Sequence, residues 1–237
     1  MNLPILRVLP SKQIRKRLQV ALLAVASVLF VASVAPFVRA QKQPESGPPL
    51  KAATIQVRRY VENIDGTVTE KGTKTVYLSV DGSYTIITRD EKGKRTQTLI
   101  ADAEQNAAFL VNGMEATKMF SSVGSKTAGT PEDYQRDPAY VGETVAFGEV
   151  AYIQRSSQEN SGQTDEVTSI PALKFPVKFV TIKNADGSKK VDEAISILWG
   201  EPPKKLLRLP EGATVTDGSK MLDEQIKQIQ QRARRNN

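Results

Sequence analysis

From Thr54 to Phe120 the chain is a succession of short runs rich in Thr, Val, Ile and Tyr. The runs are Thr54–Ile64, Thr67–Glu70, Thr73–Val80, Ser83–Arg89, Arg95–Ala101, Ala107–Val111 and Met114–Phe120. Asp65-Gly66, Lys71-Gly72, Asp81-Gly82, Asp90–Lys94, Asp102–Asn106 and Asn112-Gly113 separate them. Turn signals about every 8–12 residues between β-branched runs predict an antiparallel meander. Asp-Gly suits the turns because Gly takes positive φ freely and Asp tolerates it. Asp65, Asp81, Asp186 and Asp217 all precede Gly, but none is followed by the further acidic ligands and closing Glu of a calcium loop, so they read as turns.

The second half continues in the same manner. Glu143–Arg155 has strand character, with Gly148 read as a bulge or tight bend, and Thr164–Ile170 is the next strand before Pro171. Lys174–Lys183 and Lys189–Trp199 form a hairpin around Ala185-Asp186-Gly187. Pro176 cannot donate a ladder hydrogen bond, so its strand is an edge or enters the sheet only after it. Gly200-Glu201-Pro202-Pro203 ends the pair, and Leu206–Val215 closes the sheet. Trp199 reads as a cap on the core where a strand ends, with a binding aromatic at a rim as the alternative. The expected fold is mainly β: a curved antiparallel sheet or open half-barrel of about 10–11 strands with a short C-terminal α-helix.

Ser121–Tyr140 interrupts the meander, long enough to be functional or mobile. Thr130-Pro131-Glu132-Asp133 predicts an N-cap and at most two turns of helix, stopped by Asp137-Pro138, with Tyr134 and Tyr140 pinning the segment to the sheet. The final helix, Ser219–Arg235, places Leu222, Ile226, Ile229 and Ala233 on one narrow stripe, with Arg232, Arg234 and Arg235 at its end. It packs on the sheet, or it offers a protein partner or an anionic surface something to hold.

The 237 residues carry a formal charge of +7, which concentrates in the leader. Residues 1–40 hold six basic and no acidic side chains, leaving 27 basic against 26 acidic in Gln41–Asn237. That near-neutral balance argues against nucleic acid as a partner. A basic n-region, the apolar run Val20–Val34, Pro36 and then Val38-Arg39-Ala40 make a signal peptide cut after Ala40. The alternative is an uncleaved anchor, in which residues 20–38 contact the membrane. Either way the rest is expected outside the cytoplasm, in the periplasm or cell envelope, or anchored to the inner membrane with its domain facing that space. The expected organisation is leader 1–40, flexible linker 41–53 with Pro44, Gly47, Pro48 and Pro49, β domain 54–216, and helix with basic tail 217–237.

Neither cysteine nor histidine occurs, which removes disulfides, thiolate catalysis, iron–sulfur ligation, a lipidated N-terminal Cys, and the commonest general base and zinc ligand. Carboxylate doublets Glu132-Asp133, Asp165-Glu166 and Asp192-Glu193 exist, but neighbours on a strand point to opposite faces and cannot act together. Ser125, Ser188 and Ser219 each precede Lys, yet no Ser-x-x-Lys nucleophile motif occurs. The chain is therefore read as non-enzymatic, with no catalytic, metal or cofactor residue and with its ligand-binding residues unassigned.

Ile197–Pro210 reads Ile-Leu-Trp-Gly-Glu-Pro-Pro-Lys-Lys-Leu-Leu-Arg-Leu-Pro. It resembles the closing segment of the outer-membrane lipoprotein-sorting proteins, the LolA/LolB-like group, in which a late strand is followed by Gly-Glu-Pro, a short turn and an aliphatic-Pro ending. The resemblance covers this motif and the plan of Thr54 to Val215. It implies an open antiparallel half-barrel around an apolar cavity that takes up acyl chains. The expected partner is thus a lipid or lipoprotein acyl chain. The alternative is a non-catalytic structural or interaction module of the envelope. A hollow apolar face favours the first, and a filled core with exposed edge strands favours the second.

Overall fold

Short strands with tight turns can satisfy their backbone groups only by pairing with each other, and in the computed structural model they do so in one open sheet. Residues 49–120, 128–158, 162–173 and 175–218 are described. The leader, most of the linker, the Ser219–Arg235 helix and the serines at 125 and 219 lie outside them. The strands are β1 Ala53–Glu62, β2 Val68–Leu78, β3 Tyr84–Arg89, β4 Arg95–Asp102, β5 Ala107–Asn112, β6 Glu115–Phe120, β7 Tyr140–Ala146, β8 Glu149–Gln158, β9 Gln163–Ser169, β10 Lys178–Lys183, β11 Lys189–Trp199 and β12 Thr214–Asp217; α1 is Pro131–Gln135. Their order is β12-β6-β5-β4-β3-β2-β1-β11-β10-β9-β8-β7, so two meanders meet where β1 pairs with β11.

The strand count is twelve rather than 10–11, and three local readings are corrected. Lys71-Gly72 is not a turn: Arg59 pairs with Gly72 and Tyr60 with Glu70, so Lys71 is an extra residue bulged out of one continuous β2. Gly72 has φ +101°, and a side chain there would run into the Arg89 carbonyl oxygen. Gly148 is the tight bend rather than the bulge, and it divides the Glu143–Arg155 run into two strands. Phe147 and Gly148, with φ +52° and +79°, form the two-residue turn between β7 and β8. Positive φ at both positions is the type I′ geometry that suits a hairpin. Finally, the sheet is not wholly antiparallel, because β12 pairs parallel with β6. The chain leaves β11 and crosses the face of the first meander before reaching the far edge, and that passage sets the direction of β12. On the way Leu206 accepts a hydrogen bond from the Thr85 hydroxyl at 2.6 Å, and Leu209 packs on Ala107, Phe109 and Ala116.

Other expectations hold. β11 spans Lys189–Trp199 as read, and β10 starts two residues after Pro176. Asp65, Asp81 and Asp186 each accept the backbone N–H two residues on, at 2.9, 2.7 and 2.9 Å, which is the turn role expected of them. Thr130 and Asp133 close a capping box on α1, and Tyr134 stacks on Tyr152 with ring centroids 5.0 Å apart. By contrast, the closing strand is Thr214–Asp217 rather than Leu206–Val215, and Asp217, expected in a turn, pairs with Lys118 at its end, one residue past the expected domain boundary.

The main core joins Ala53, Ile55 and Val57 of β1, Val76 and Leu78 of β2, Ala151 of β8 and Ala194 of β11 with Ile170, Leu173 and Val177 of the β9–β10 connection. β8 lies four places from β1 in the sheet, about 19 Å at ordinary strand spacing if the sheet were flat. Yet the Lys51 ammonium, two residues before β1, reaches Glu149 at 2.6 Å. The sheet therefore curls.

Candidate functional site

Cross-strand register builds one apolar surface. Ile55 pairs with Val76, Val76 with Ile86, Ile86 with Leu99, and Leu99 with Leu110, giving a row of aliphatic side chains across β1 to β5. Two residues along each strand, and so on the same face, runs a second row: Ala53, Leu78, Tyr84, Ala101 and Ala108. Both rows are fully buried over β1 and β2. Over β3 to β5 the large side chains Tyr84, Ile86, Leu99 and Leu110 are only half-buried, while the alanines between them keep the surface low. Burial pushes the Tyr84 phenol above its ordinary pKa.

The band has a polar border. The next row reads Val57, Lys74, Thr88 and Gln97. The Lys74 side chain is only 7% exposed and pairs with Asp192, which also accepts from Arg59 at 3.3 Å. Burial holds the Lys74 ammonium below its usual pKa, with the charge and hydrogen bond of Asp192 opposing.

The opposite face of the second meander is charged. Arg155 pairs with Glu166 at 2.6 Å and Lys178 with Glu193 at 2.9 Å, Tyr60 donates to Glu193 at 3.2 Å, and Arg58 pairs with Glu70. These groups alternate in sign across β8, β9, β10, β11, β1 and β2. Such exposed pairs add little stability each, but they make this surface a poor seat for hydrocarbon. A cleft of about 280 Å³ opens beside the ladder, lined by Ala146, Phe147, Ile153, Val177, Lys178 and Glu193 among others. That volume is at the small end for a ligand pocket.

The acidic doublets behave as strand alternation requires. Asp165 accepts from the Thr181 hydroxyl at 2.7 Å on one face while Glu166 holds Arg155 on the other, and Asp192 and Glu193 split in the same way. Asp133 is spent on the α1 cap, and the Ser188 hydroxyl donates to Asp186 within its turn. No two of these groups converge on one point as an acid and a base. Trp199 is 38% exposed at the end of β11, with the Lys51 ammonium 5.2 Å from its ring centroid, so it clamps the segment entering β1 rather than sealing the core. The apolar band had no residue assigned from sequence. Its only local signal was alternation within β2 and β3, and the register that aligns the rows is not local.

The sequence matches no family model and no curated protein. Among solved structures of similar chain course, PNGF-II has 16% identity and a TM-score of 0.47, with 70% of this chain and 31% of that one covered. The MucA/MucB complex of Pseudomonas aeruginosa has 15% and 0.40, covering 69% and 58%. A LolA superfamily protein of Nitrosomonas europaea has 8% and 0.36, covering 68% and 92%. The structure is similar to LolA superfamily and lipoprotein-sorting structures. The chain spans less than two thirds of the PNGF-II and MucB chains it aligns with. These are likenesses of chain course alone, and no ligand or partner follows from them. No helix among the described residues is long and apolar enough to cross a membrane.

Proposed function

We propose that this protein is exported to the envelope space and binds a long apolar ligand, the acyl chain of a lipid or lipoprotein, along the two-row band of its sheet. The observation that carries this reading is that the band stays apolar from β1 to β5 although Ile86, Leu99 and Leu110 are only half-buried. An apolar surface left part-open is the place where added hydrocarbon gains most. About 200 Å² of apolar contact contributes roughly 5 kcal/mol at 25 cal/mol per Å², without any catalytic group. The leader and the likeness of Ile197–Pro210 to lipoprotein-sorting proteins support the same reading.

The test is titration of the purified full chain with a fluorescent fatty acid. Binding is expected at micromolar concentration, and Leu99→Asp, which sets a carboxylate in the middle of the band, should weaken it at least tenfold. Leu198→Asp is the control, since Leu198 pairs with Thr54 on the opposite face and is 74% exposed. A wild-type protein that takes up no probe, or a Leu99 variant that binds as well as wild type, contradicts the proposal. The second reading, a non-catalytic interaction module, is favoured by the filled core around Ile55, Ile170 and Val177 and by the exposed edge of β7.

A further inference from the structure

We propose that the free edge of β7 is a docking site for an extended, basic and alternately apolar segment of a partner protein, which adds to the sheet as a thirteenth strand. β7 ends the strand order, and among the described residues nothing pairs with its outer side. Ala146 and Glu149 close the type I′ hairpin, so Ala146, Thr144 and Gly142 direct their backbone groups to β8. Glu143 and Val145 accordingly point their N–H and C=O groups outward, and Val141 is the residue bulged from the pairing. Their side chains are exposed, Val145 to 73%.

Natural edges are usually guarded by charged side chains, above all lysine, or by proline, bulges, short length or inward charges, and of these β7 carries one charge, Glu143, and a bulge at its start. β7 has seven residues with no Lys, Arg or Pro, and its one irregularity is at Val141, beyond the outward groups of Glu143 and Val145. The turn beside it is built at a cost, because Phe147 holds φ +52°, a left-handed conformation that a bulky residue rarely adopts. Phe147 is 42% exposed and lines the 280 Å³ cleft together with Thr144 and Ala146. A strand added to β7 would place alternate side chains beside Thr144 and Ala146, where the cleft can take an aliphatic one. Backbone pairing supplies affinity in such additions, and pockets for alternate side chains supply selectivity.

Charge selects the occupant. From Pro131 to Glu143 the chain carries Glu132, Asp133, Asp137 and Glu143 against a single cation, Arg136, while Glu149 is taken by Lys51 and Lys178 of the cleft is taken by Glu193. A second copy of β7 would set Glu143 and its acidic flank against themselves, whereas a basic segment is complementary. The backbone edge of β7 is no part of the apolar band, although Ala146 packs on the same core as Tyr84 and Ile86, and the tests below read pairing to that edge rather than acyl-chain binding.

The probe is the fluorescein-labelled peptide Lys-Val-Lys-Val-Thr-Val-Lys, followed by anisotropy with the full chain in low salt. Micromolar binding is expected, at least tenfold weaker when alternate peptide amides are N-methylated, because strand addition needs those hydrogens and charge attraction does not. Val145→Pro should weaken binding at least tenfold with circular dichroism unchanged, since it removes an outward N–H and leaves the β8 ladder intact. Val145→Lys, which keeps the backbone and opposes the peptide's charge, should do the same. No binding, or binding indifferent to N-methylation and to both variants, overturns the proposal. So does a dimer in sedimentation velocity that Val145→Lys dissolves, since the occupant would then be a second copy.

Discussion

Asp192→Ala should cost the fold about 3–5 kcal/mol, read as a lower urea midpoint with an unchanged slope. The carboxylate is shared by Lys74 of β2 and Arg59 of β1, and it ties both to β11 at the seam where the two meanders meet. Removing it leaves a deeply buried ammonium without the carboxylate that holds its charge. The cost should shrink as pH rises. In the variant the folded pKa of Lys74 falls further below its ordinary value, while the unfolded chain keeps that proton up to about pH 10.4. Between those limits the unfolded state binds more protons, so stability increases with pH. The double variant with Lys74→Met should recover most of the loss, because a buried apolar chain of similar length needs no counter-charge. A deficit independent of pH, or not relieved by Lys74→Met, would show that Asp192 acts through something other than this cluster.

Gly72→Ala should be the most damaging change at a glycine in the sheet. The left-handed conformation at φ +101° alone costs an alanine roughly 1–3 kcal/mol. The new methyl group would also collide with the Arg89 carbonyl oxygen and sit 2.6 Å from the carbonyl carbon of Asp90, backbone atoms that cannot swing away. Gly93→Ala is the matched control, with φ +77° but nothing within 4 Å of an added methyl. The difference between their urea midpoints isolates the collision. Equal losses would mean that β3 yields, and that the bulge at Lys71 is not pinned from that side.

What the chain disclosed by itself follows from the range of each signal. Lys189–Trp199 is a run of strand-forming residues bounded by Gly187 and Gly200, so both ends of β11 could be read directly, although Ile195 is bulged out of its pairing with β1. Pro176 and the Thr130-Pro131 pair act on their immediate neighbours, and both did what their chemistry requires. The errors share a different cause. Lys71-Gly72 carries a turn's composition, but the glycine is there because Arg89 passes close by, a contact made by another strand. Phe147 occupies a turn position that composition assigns to Asn, Asp or Gly, so the β7–β8 hairpin looked like a single bent strand. The parallel pairing of β12 depends on where the chain after Pro203 crosses the sheet, which no local pattern encodes.

The site was the least legible part for the same reason. Lys74 and Asp192 are 118 residues apart, and a lysine within a Thr-rich run carries no sign of burial. Ile55, Val76, Ile86, Leu99 and Leu110 come from five strands, and only their register makes them one surface. A shift of a single residue in any of those strands would turn its contribution to the other face.

The most direct test of acyl-chain binding is native mass spectrometry of the full chain purified from the cells that produce it, with lipid extraction of the same sample. The account predicts a bound species of lipid mass that is extracted into organic solvent, and that is absent from the Leu99→Asp protein prepared in parallel. Wild-type protein that comes out empty, with no lipid in the extract, would contradict it.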